Sequence, residues 1–277
     1  WAGLARLRYR VSSGAPIAER SGLRTIAEAA ARKAVTLDPN LADGYGILGM
    51  FRTMARDFPA AEAHLRRAVA LEPTRAGFRE WLSNFLLLTG RIQEAVAEAE
   101  RAVALDPLSP SAHAELARAL IADGRCDQAV VHLTRVLTVD PPLLRAAPLV
   151  AQCHGRMGQW AEAISAVRPQ AERGDPLAMA FTGYLYARSG QRAMADSIHA
   201  QLEARVLRGE EGAYYLAFVP AALGDRDQAF KRLDQGVEDG SFGFPSSRSV
   251  PFTDPLFDDL RSDPRYQRFR SRYLTPP

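Results

Sequence analysis

The sequence contains few of the residues that build metal centres, disulfide frameworks or strongly charged surfaces. Its 277 residues include two cysteines and five histidines and no C-x-x-C pair, so neither a structural zinc site nor a disulfide framework is expected. The net charge is +3, from 35 basic and 32 acidic side chains, which argues against direct nucleic-acid binding. No apolar run reaches the roughly 18–20 residues that span a bilayer, so no membrane segment is expected.

Catalytic motifs are also missing. The sequence has no phosphate-binding G-x-x-x-x-G-K-[ST], no G-x-G-x-x-G, no H-E-x-x-H and no G-x-S-x-G. We considered a metal site built from Cys126, His132, Cys153 and His154, but no two of them have finger-like or i, i+4 spacing. We therefore expect no enzyme, no cofactor and no metal, whereas pairing of the two cysteines stays open.

A repeated phrase takes the place of those motifs. Prolines end similar phrases at positions 39, 73, 107 and 141, so each interval is 34 residues. Apolar residues recur at helical spacing over 112–122 and again over 128–139, which predicts one buried face on each of two helices. Gly124 between them fits a left-handed helix end. Pro141 cannot continue a helix.

Small residues recur at fixed places in these units. Position 8 holds Gly49, Ser83, Ala117 and Ala151, position 20 holds Ala61, Ala95, Ala129 and Ala163, and position 27 holds Ala68, Ala102 and Val136. Small residues let two helices approach closely. With the interval of 34, this pattern resembles the tetratricopeptide repeat (TPR). The resemblance implies an all-α fold, a right-handed α-solenoid of about seven helix pairs with a C-terminal capping segment.

The predicted superhelix covers residues 1–240. Its units are residues 1–41, 42–75, 76–109, 110–143, 144–175, 176–209 and 210–240. The first unit is predicted as a helix over 1–10, a loop over 12–21 and a helix over 23–37. Pro169 should kink its helix or end it early, and Pro220 should kink the first helix of the last unit.

Residues 241–277 are predicted to cap the array. Two short helices are expected at 256–260 and 262–274, the second with Ser262 or Asp263 as N-cap and Pro264 at its first position. The last helix pair of an array exposes an apolar face that a cap must cover. The candidates are Phe242, Phe244, Phe252, Leu256, Phe257, Leu260, Tyr266 and Phe269.

The ending resembles a more specific group. ALGDRDQAFKRL (222–233) and FDDLRSDPRY (257–266) are similar to the C-terminal TPR region of bacterial signalling proteins, namely winged-helix regulators, Ser/Thr kinases and nucleotide cyclases. This resemblance implies a signalling context. The chain opens with Trp1 rather than methionine, so we expect a piece of a longer protein. A cytoplasmic location is favoured, and a periplasmic one stays open if an anchor lies upstream.

In the TPR resemblance, the first helix of each pair lines a concave groove. The partner-binding residues predicted from these positions are Asn84, Arg118, Arg145, Gln152, Arg156, Tyr184, Arg188, Tyr214 and Phe218. Arginines suit carboxylates and aromatic residues suit an apolar anchor. We therefore predict a scaffold that binds a protein or peptide partner of acidic character, without direct contact to nucleic acid or membrane.

Two other functions stay open at this stage. A small-molecule sensor would hold its ligand near the aromatic end of the groove. A self-association module would form a homo-oligomer and regulate an attached enzyme or DNA-binding domain.

Overall fold

Every regular element that the structure describes is a helix. The computed structural model describes residues 17–139, 146–242 and 256–274, with side chains over 25–137, 146–242 and 257–274. The helices are α1 (Ile17–Leu37), α2 (Ala42–Met54), α3 (Phe58–Leu71), α4 (Ala76–Leu88), α5 (Ile92–Leu105), α6 (Pro110–Ala122), α7 (Cys126–Val139), α8 (Ala146–Arg156), α9 (Trp160–Glu172), α10 (Pro176–Arg188), α11 (Arg192–Leu207), α12 (Phe218–Ala222), α13 (Arg226–Glu238), α14 (Leu256–Leu260) and α15 (Pro264–Leu274), with a 3₁₀ helix at Ala213–Ala217. Over these ranges, none of the helices has the length and apolar composition needed to cross a bilayer.

Consecutive helices pack in pairs, and first helices also contact each other, as in α2 and α4. The small-residue positions lie at these contacts. Ala61, Ala95, Ala129 and Ala163 are all 0 % exposed. Gly49 lies on α2, where a Cβ atom would come within 2.6 Å of Leu65 Cγ on α3. The predicted all-α solenoid of helix pairs is confirmed.

The turns inside these pairs use the left-handed region of the backbone. Gly90 and Gly124 both have φ of 81°, a conformation in which a Cβ atom is crowded. Arg56 stands 34 residues before Gly90 and occupies the same place in the turn between α2 and α3, with φ of 60°. One turn of the array is thus built with a residue that does not favour its conformation.

Two compact units divide the chain between Glu115 and Leu116. In the N-terminal unit, α1 and α2 share a core in which Ala27, Ile47 and Phe51 are buried. Helix α1 begins at Ile17, so the loop predicted over 12–21 is wrong for its last residues. The helix predicted over residues 1–10 lies outside the described residues.

The two prolines of the C-terminal unit behave differently. Helix α9 continues for three residues beyond Pro169, which therefore does not end it. The first helix of the last pair is broken, as expected near Pro220, into the 3₁₀ helix and α12. Pro220 is the third residue of α12, where a missing N–H removes no intrahelical bond.

The C-terminal segment forms the two short helices that were predicted, α14 and α15. Asp263 is the N-cap of α15, because its Oδ1 accepts a 2.9 Å hydrogen bond from the backbone N–H of Arg265. Pro264 is the first helical residue. The Arg265 side chain also donates to both Asp263 oxygens, which holds the pKa of this carboxyl well below its usual range.

Aromatic side chains join this segment to the last helix pair. The centroid of the Phe242 ring lies 5.3 Å from that of Tyr214, 5.2 Å from that of Phe269 and 4.7 Å from that of Tyr273. Of the predicted capping residues, Phe242, Phe257, Leu260, Tyr266 and Phe269 are buried. Phe244, Phe252 and the side chain of Leu256 lie outside the described residues.

Candidate partner-binding face

The first helices of the last three pairs lie side by side, with α8 against α10 and α10 against α12. Arg156 is the last residue of α8, and Arg188 is the last residue of α10. Tyr184 precedes Arg188 by four residues, so both side chains share one face of α10. We call the set of Arg156, Tyr184 and Arg188 the α8–α10 face, in which Tyr184 is buried at 6% exposure.

Arg156 binds two groups with different sides of its guanidinium. Nε donates to Asp258 Oδ2 at 2.9 Å and Nη2 donates to Asp258 Oδ1 at 3.2 Å, which is a bidentate pair. Nη1 donates to the carbonyl of Ile121 on α6 at 2.6 Å. Burial disfavours the charged form of Arg156, but Asp258 outweighs it, and the pKa of the guanidinium is raised.

Asp259 is held by the two residues on α10. Tyr184 Oη donates to Asp259 Oδ2 at 2.6 Å, and Arg188 Nη1 donates to Asp259 Oδ1 at 3.0 Å. Burial and this hydrogen bond raise the pKa of Tyr184, so it remains a donor. The α8–α10 face therefore holds two carboxylates with three side chains.

Both carboxylates belong to α14, a segment far away in the sequence. Asp258 follows Arg156 by 102 residues, and Asp259 follows Arg188 by 71. The neighbours Phe257 and Leu260 are 0 % exposed, and α14 also contacts α12. One helical turn thus presents two acids to the α8–α10 face and two apolar side chains to the core.

The aromatic end of the predicted groove needs a correction. Tyr214 and Phe218 are 0 % exposed, with ring centroids 5.4 Å apart, so they are core residues and offer no surface to a partner. Their placement in the groove was wrong because both rings pack against other aromatic rings of the core, Phe218 against Phe181 and Tyr214 against Phe242. Gln152 is also buried, at 4 % exposure.

The other predicted binding residues are not part of the α8–α10 face. Arg118 is half-buried in the C-terminal unit, and Asn84 is half-buried in the N-terminal unit. Arg145 lies outside the described residues. The structure thus brings together Arg156, Tyr184 and Arg188, and partner binding by any of the nine residues stays a prediction.

Sequence reasoning missed Asp258 and Asp259 as part of this site. From the sequence, FDDLRSDPRY indicated only a resemblance to signalling proteins and a short capping helix. The two adjacent acids between apolar residues were the available signal, because capping alone does not require a charged pair.

Two cysteines lie next to Arg156, and their pairing stays open in the sequence analysis. Cys126 begins α7, Cys153 lies on α8, and both are buried free thiols. A hydrogen bond from Cys153, together with Arg156, lowers the pKa of Cys126 to about 7 despite burial. No group of three or more potential metal ligands occurs among the side chains that the structure describes.

This architecture of stacked helix pairs defines a helical repeat protein. Two family models, both of the tetratricopeptide repeat, match residues 55–110 and 86–153. Residues 55–153 are therefore tetratricopeptide repeats, and the described pairs on either side repeat their arrangement. No curated protein sequence matches the chain.

Solved structures support the same fold. A tetratricopeptide repeat protein from Parabacteroides merdae is similar with a TM-score of 0.62 at 13% identity, covering 94% of this chain and 100% of that one. PilW, a type IV pilus biogenesis factor, has a TM-score of 0.61 at 18% identity, covering 73% of this chain and 93% of PilW. Human IFIT1, solved as a dimer with PPP-AAAA, has a TM-score of 0.61 at 17% identity, covering 91% of this chain and 61% of that one.

Proposed function

We propose that the chain is a scaffold that binds an acidic protein or peptide segment on the α8–α10 face. The observation that carries this proposal is that Arg156, Tyr184 and Arg188 together bind two carboxylates. A bidentate arginine and a paired tyrosine and arginine recognise carboxylates with defined geometry. The same three side chains could receive acids from another molecule.

The chemistry of the face favours binding over catalysis. Burial and Asp259 raise the pKa of Tyr184, and Asp258 raises the pKa of Arg156, so both side chains remain hydrogen-bond donors at neutral pH. Solenoids of helix pairs are suited to binding because they present extended surfaces on a rigid frame.

The experiment compares charge reversals in two sets of arginines of the C-terminal unit. The test variant carries R118E, R156E and R188E, and the control carries R168E, R192E and R208E. The control side chains are 58%, 74% and 57% exposed and lie on or next to second helices. Circular dichroism establishes that both variants are folded.

Partners are captured by photo-crosslinking in lysate of the source organism and quantified by mass spectrometry. We expect partner recovery to fall about tenfold or more in the test variant and to stay near the original level in the control. Equal recovery with both variants would place the binding site elsewhere.

The signalling context is a finer part of this proposal. It is supported by the motifs at 222–233 and 257–266. Reading the coding sequence upstream of Trp1 tests it, because a kinase, cyclase or winged-helix domain is expected there.

A further inference from the structure

The α8–α10 face is occupied by a segment of the same chain. Asp258 and Asp259 of α14 fill its hydrogen-bonding positions at 2.6–3.2 Å. A partner that binds the same three side chains must therefore replace α14. This arrangement gives information about the partner, because the resident segment displays the chemistry that the face accepts.

We infer that α14 is a resident ligand of the α8–α10 face, and that a partner displaces it with a helical turn of the pattern apolar-Asp-Asp-apolar. The inference rests on the proposed function and specifies the residue pattern of the partner's binding segment. The pattern is that of Phe257, Asp258, Asp259 and Leu260.

The order of residues in this pattern follows from helix geometry. Consecutive residues project about 100° apart around a helix, so adjacent acids reach different partners. Asp258 reaches Arg156 on α8, whereas Asp259 reaches Tyr184 and Arg188 on α10. A single acid could bind only one of the two helices. A ligand with two adjacent acids is selected because it connects both.

The apolar positions follow from the same geometry. Residues three apart lie on one side of a helix. Phe257 and Leu260 have this spacing and are both fully buried. An acidic peptide without apolar residues at these two places would leave a hole in the core of the C-terminal unit. The face therefore distinguishes this pattern from a run of acids.

Phe257 of α14 stacks on Phe269 of α15, with ring centroids 6.5 Å apart, but α15 also has contacts of its own to α13. Arg265 Nη1 donates to Asp227 at 2.6 Å and Arg272 Nη1 donates to Asp234 at 2.9 Å, both on α13. These contacts hold α15 independently of the α8–α10 face. The Asp258 and Arg188 side chains are 37% and 41% exposed, so solvent and competing ligands reach the polar contacts of α14.

Occupation in cis should lower the affinity for an added ligand. A tethered segment has an effective concentration in the millimolar range, and an added ligand binds only the fraction of molecules in which the face is open. Weakening the resident contacts should therefore strengthen binding in trans. This opposite direction distinguishes a resident ligand from a structural cap.

The test uses a fluorescein-labelled peptide, DPLFDDLRS, which copies residues 254–262. Its matched control, DPLFNNLRS, keeps the shape and removes both charges. Fluorescence anisotropy measures binding of each peptide to the full chain and to a full chain carrying D258N and D259N. Urea unfolding establishes that the variant is folded at the assay temperature.

We expect DPLFDDLRS to bind the D258N/D259N chain about tenfold or more tightly than the unchanged chain. DPLFNNLRS should bind neither. Adding R156E and R188E should abolish binding of the acidic peptide, whereas adding R168E and R192E should leave it unchanged. A charge swap gives a second test: with R188D in the D258N/D259N chain, a peptide with Asp259→Arg should bind better than DPLFDDLRS.

Three results would overturn the inference: no binding of DPLFDDLRS to the D258N/D259N chain, equal binding to both chains, or equal binding of the two peptides. None of them decides the proposed function, because the crosslinking comparison of arginine variants does not depend on α14. Loss of partners in that comparison without peptide binding would keep the scaffold and reject α14 as its resident ligand.

Discussion

In the N-terminal unit, Arg91 donates to Glu62 of α3 and to Glu94 of α5, both at 2.6 Å. In the C-terminal unit, Arg156 and Arg188 bind acids of a single short helix that lies 102 and 71 residues further along the chain. The first pattern joins one repeat to the next on an exposed surface. The second fastens a segment that has no counterpart in the repeats. A charge that contacts its own repeat neighbours supports the array, whereas Arg156 and Arg188 hold a segment that lies outside the repeats.

The largest loss of stability should come from replacing a buried phenylalanine in either unit. Phe85 on α4 is 2% exposed and Phe257 on α14 is 0% exposed. Phe85→Ala and Phe257→Ala should each lower the free energy of unfolding by about 3–5 kcal/mol, through lost transfer energy and the cavity left behind. Urea unfolding followed by circular dichroism measures both. A loss below about 1 kcal/mol for Phe257→Ala would mean that α14 is not anchored in the core.

The next largest effect is the difference in stability loss between substitution of Arg156, which holds α14, and of Arg91, which joins two repeats. Arg156→Met should lower the free energy of unfolding by about 1.5–3 kcal/mol, because hydrogen bonds to charged groups in partly buried places contribute that much. Arg91→Met should lower it by less than about 1 kcal/mol, because exposed pairs contribute little. The side chains are 22% and 35% exposed.

Salt separates these two arginines further. At high ionic strength the effect of Arg91→Met should shrink more than that of Arg156→Met, because exposed pairs are screened more strongly. Equal losses for the two substitutions would remove the distinction between the regions.

A smaller effect on the free energy of unfolding should come from substitutions in the helix–helix turns of the two units. Arg56→Gly should raise the free energy of unfolding by about 1 kcal/mol, because the left-handed conformation strains any residue with a Cβ atom. Gly124→Ala should lower it by about the same amount. A Cβ atom at Gly124 meets nothing within 4 Å, so this substitution tests the backbone alone. A loss of stability in Arg56→Gly would show that contacts of the arginine side chain outweigh the strain.

The repeating part of the fold could be predicted because its causes are local. The 34-residue interval, the small residues at the helix contacts and Gly124 each act within one helix pair. The two C-terminal helices were also predictable, since Asp263 and Pro264 set a helix start by themselves.

The candidate site could be predicted only in part. The positions of Arg156 and Arg188 could be predicted from the repeat. The carboxylates that they bind belong to a segment outside the repeats, which the periodicity does not place. Tyr214 and Phe218 were misplaced because the helical periodicity does not hold across the break between the 3₁₀ helix and α12. Contacts between residues 71 to 102 positions apart depend on how the chain returns, which periodicity does not encode.

The smallest predicted effect concerns the thiols beside Arg156, which have no counterpart in the N-terminal unit. Cys153→Ala should raise the pKa of Cys126 from about 7 toward its ordinary value of 9.0, because the thiolate loses its hydrogen-bond donor. Absorbance of the thiolate in the ultraviolet, followed against pH, measures the shift. Arg156→Met should shift the pKa in the same direction but by less.

The sign of the pH dependence follows from the lowered pKa. A thiol that ionises more readily when folded stabilises the fold above the pKa of the unfolded chain, and this contribution is lost as pH falls through about 7. Between about pH 7 and 8.5, the free energy of unfolding of the unchanged protein should therefore rise relative to that of Cys153→Ala. Parallel pH profiles of the two proteins would mean that Cys126 titrates as an ordinary thiol, and that the charge of Arg156 is satisfied by Asp258 alone.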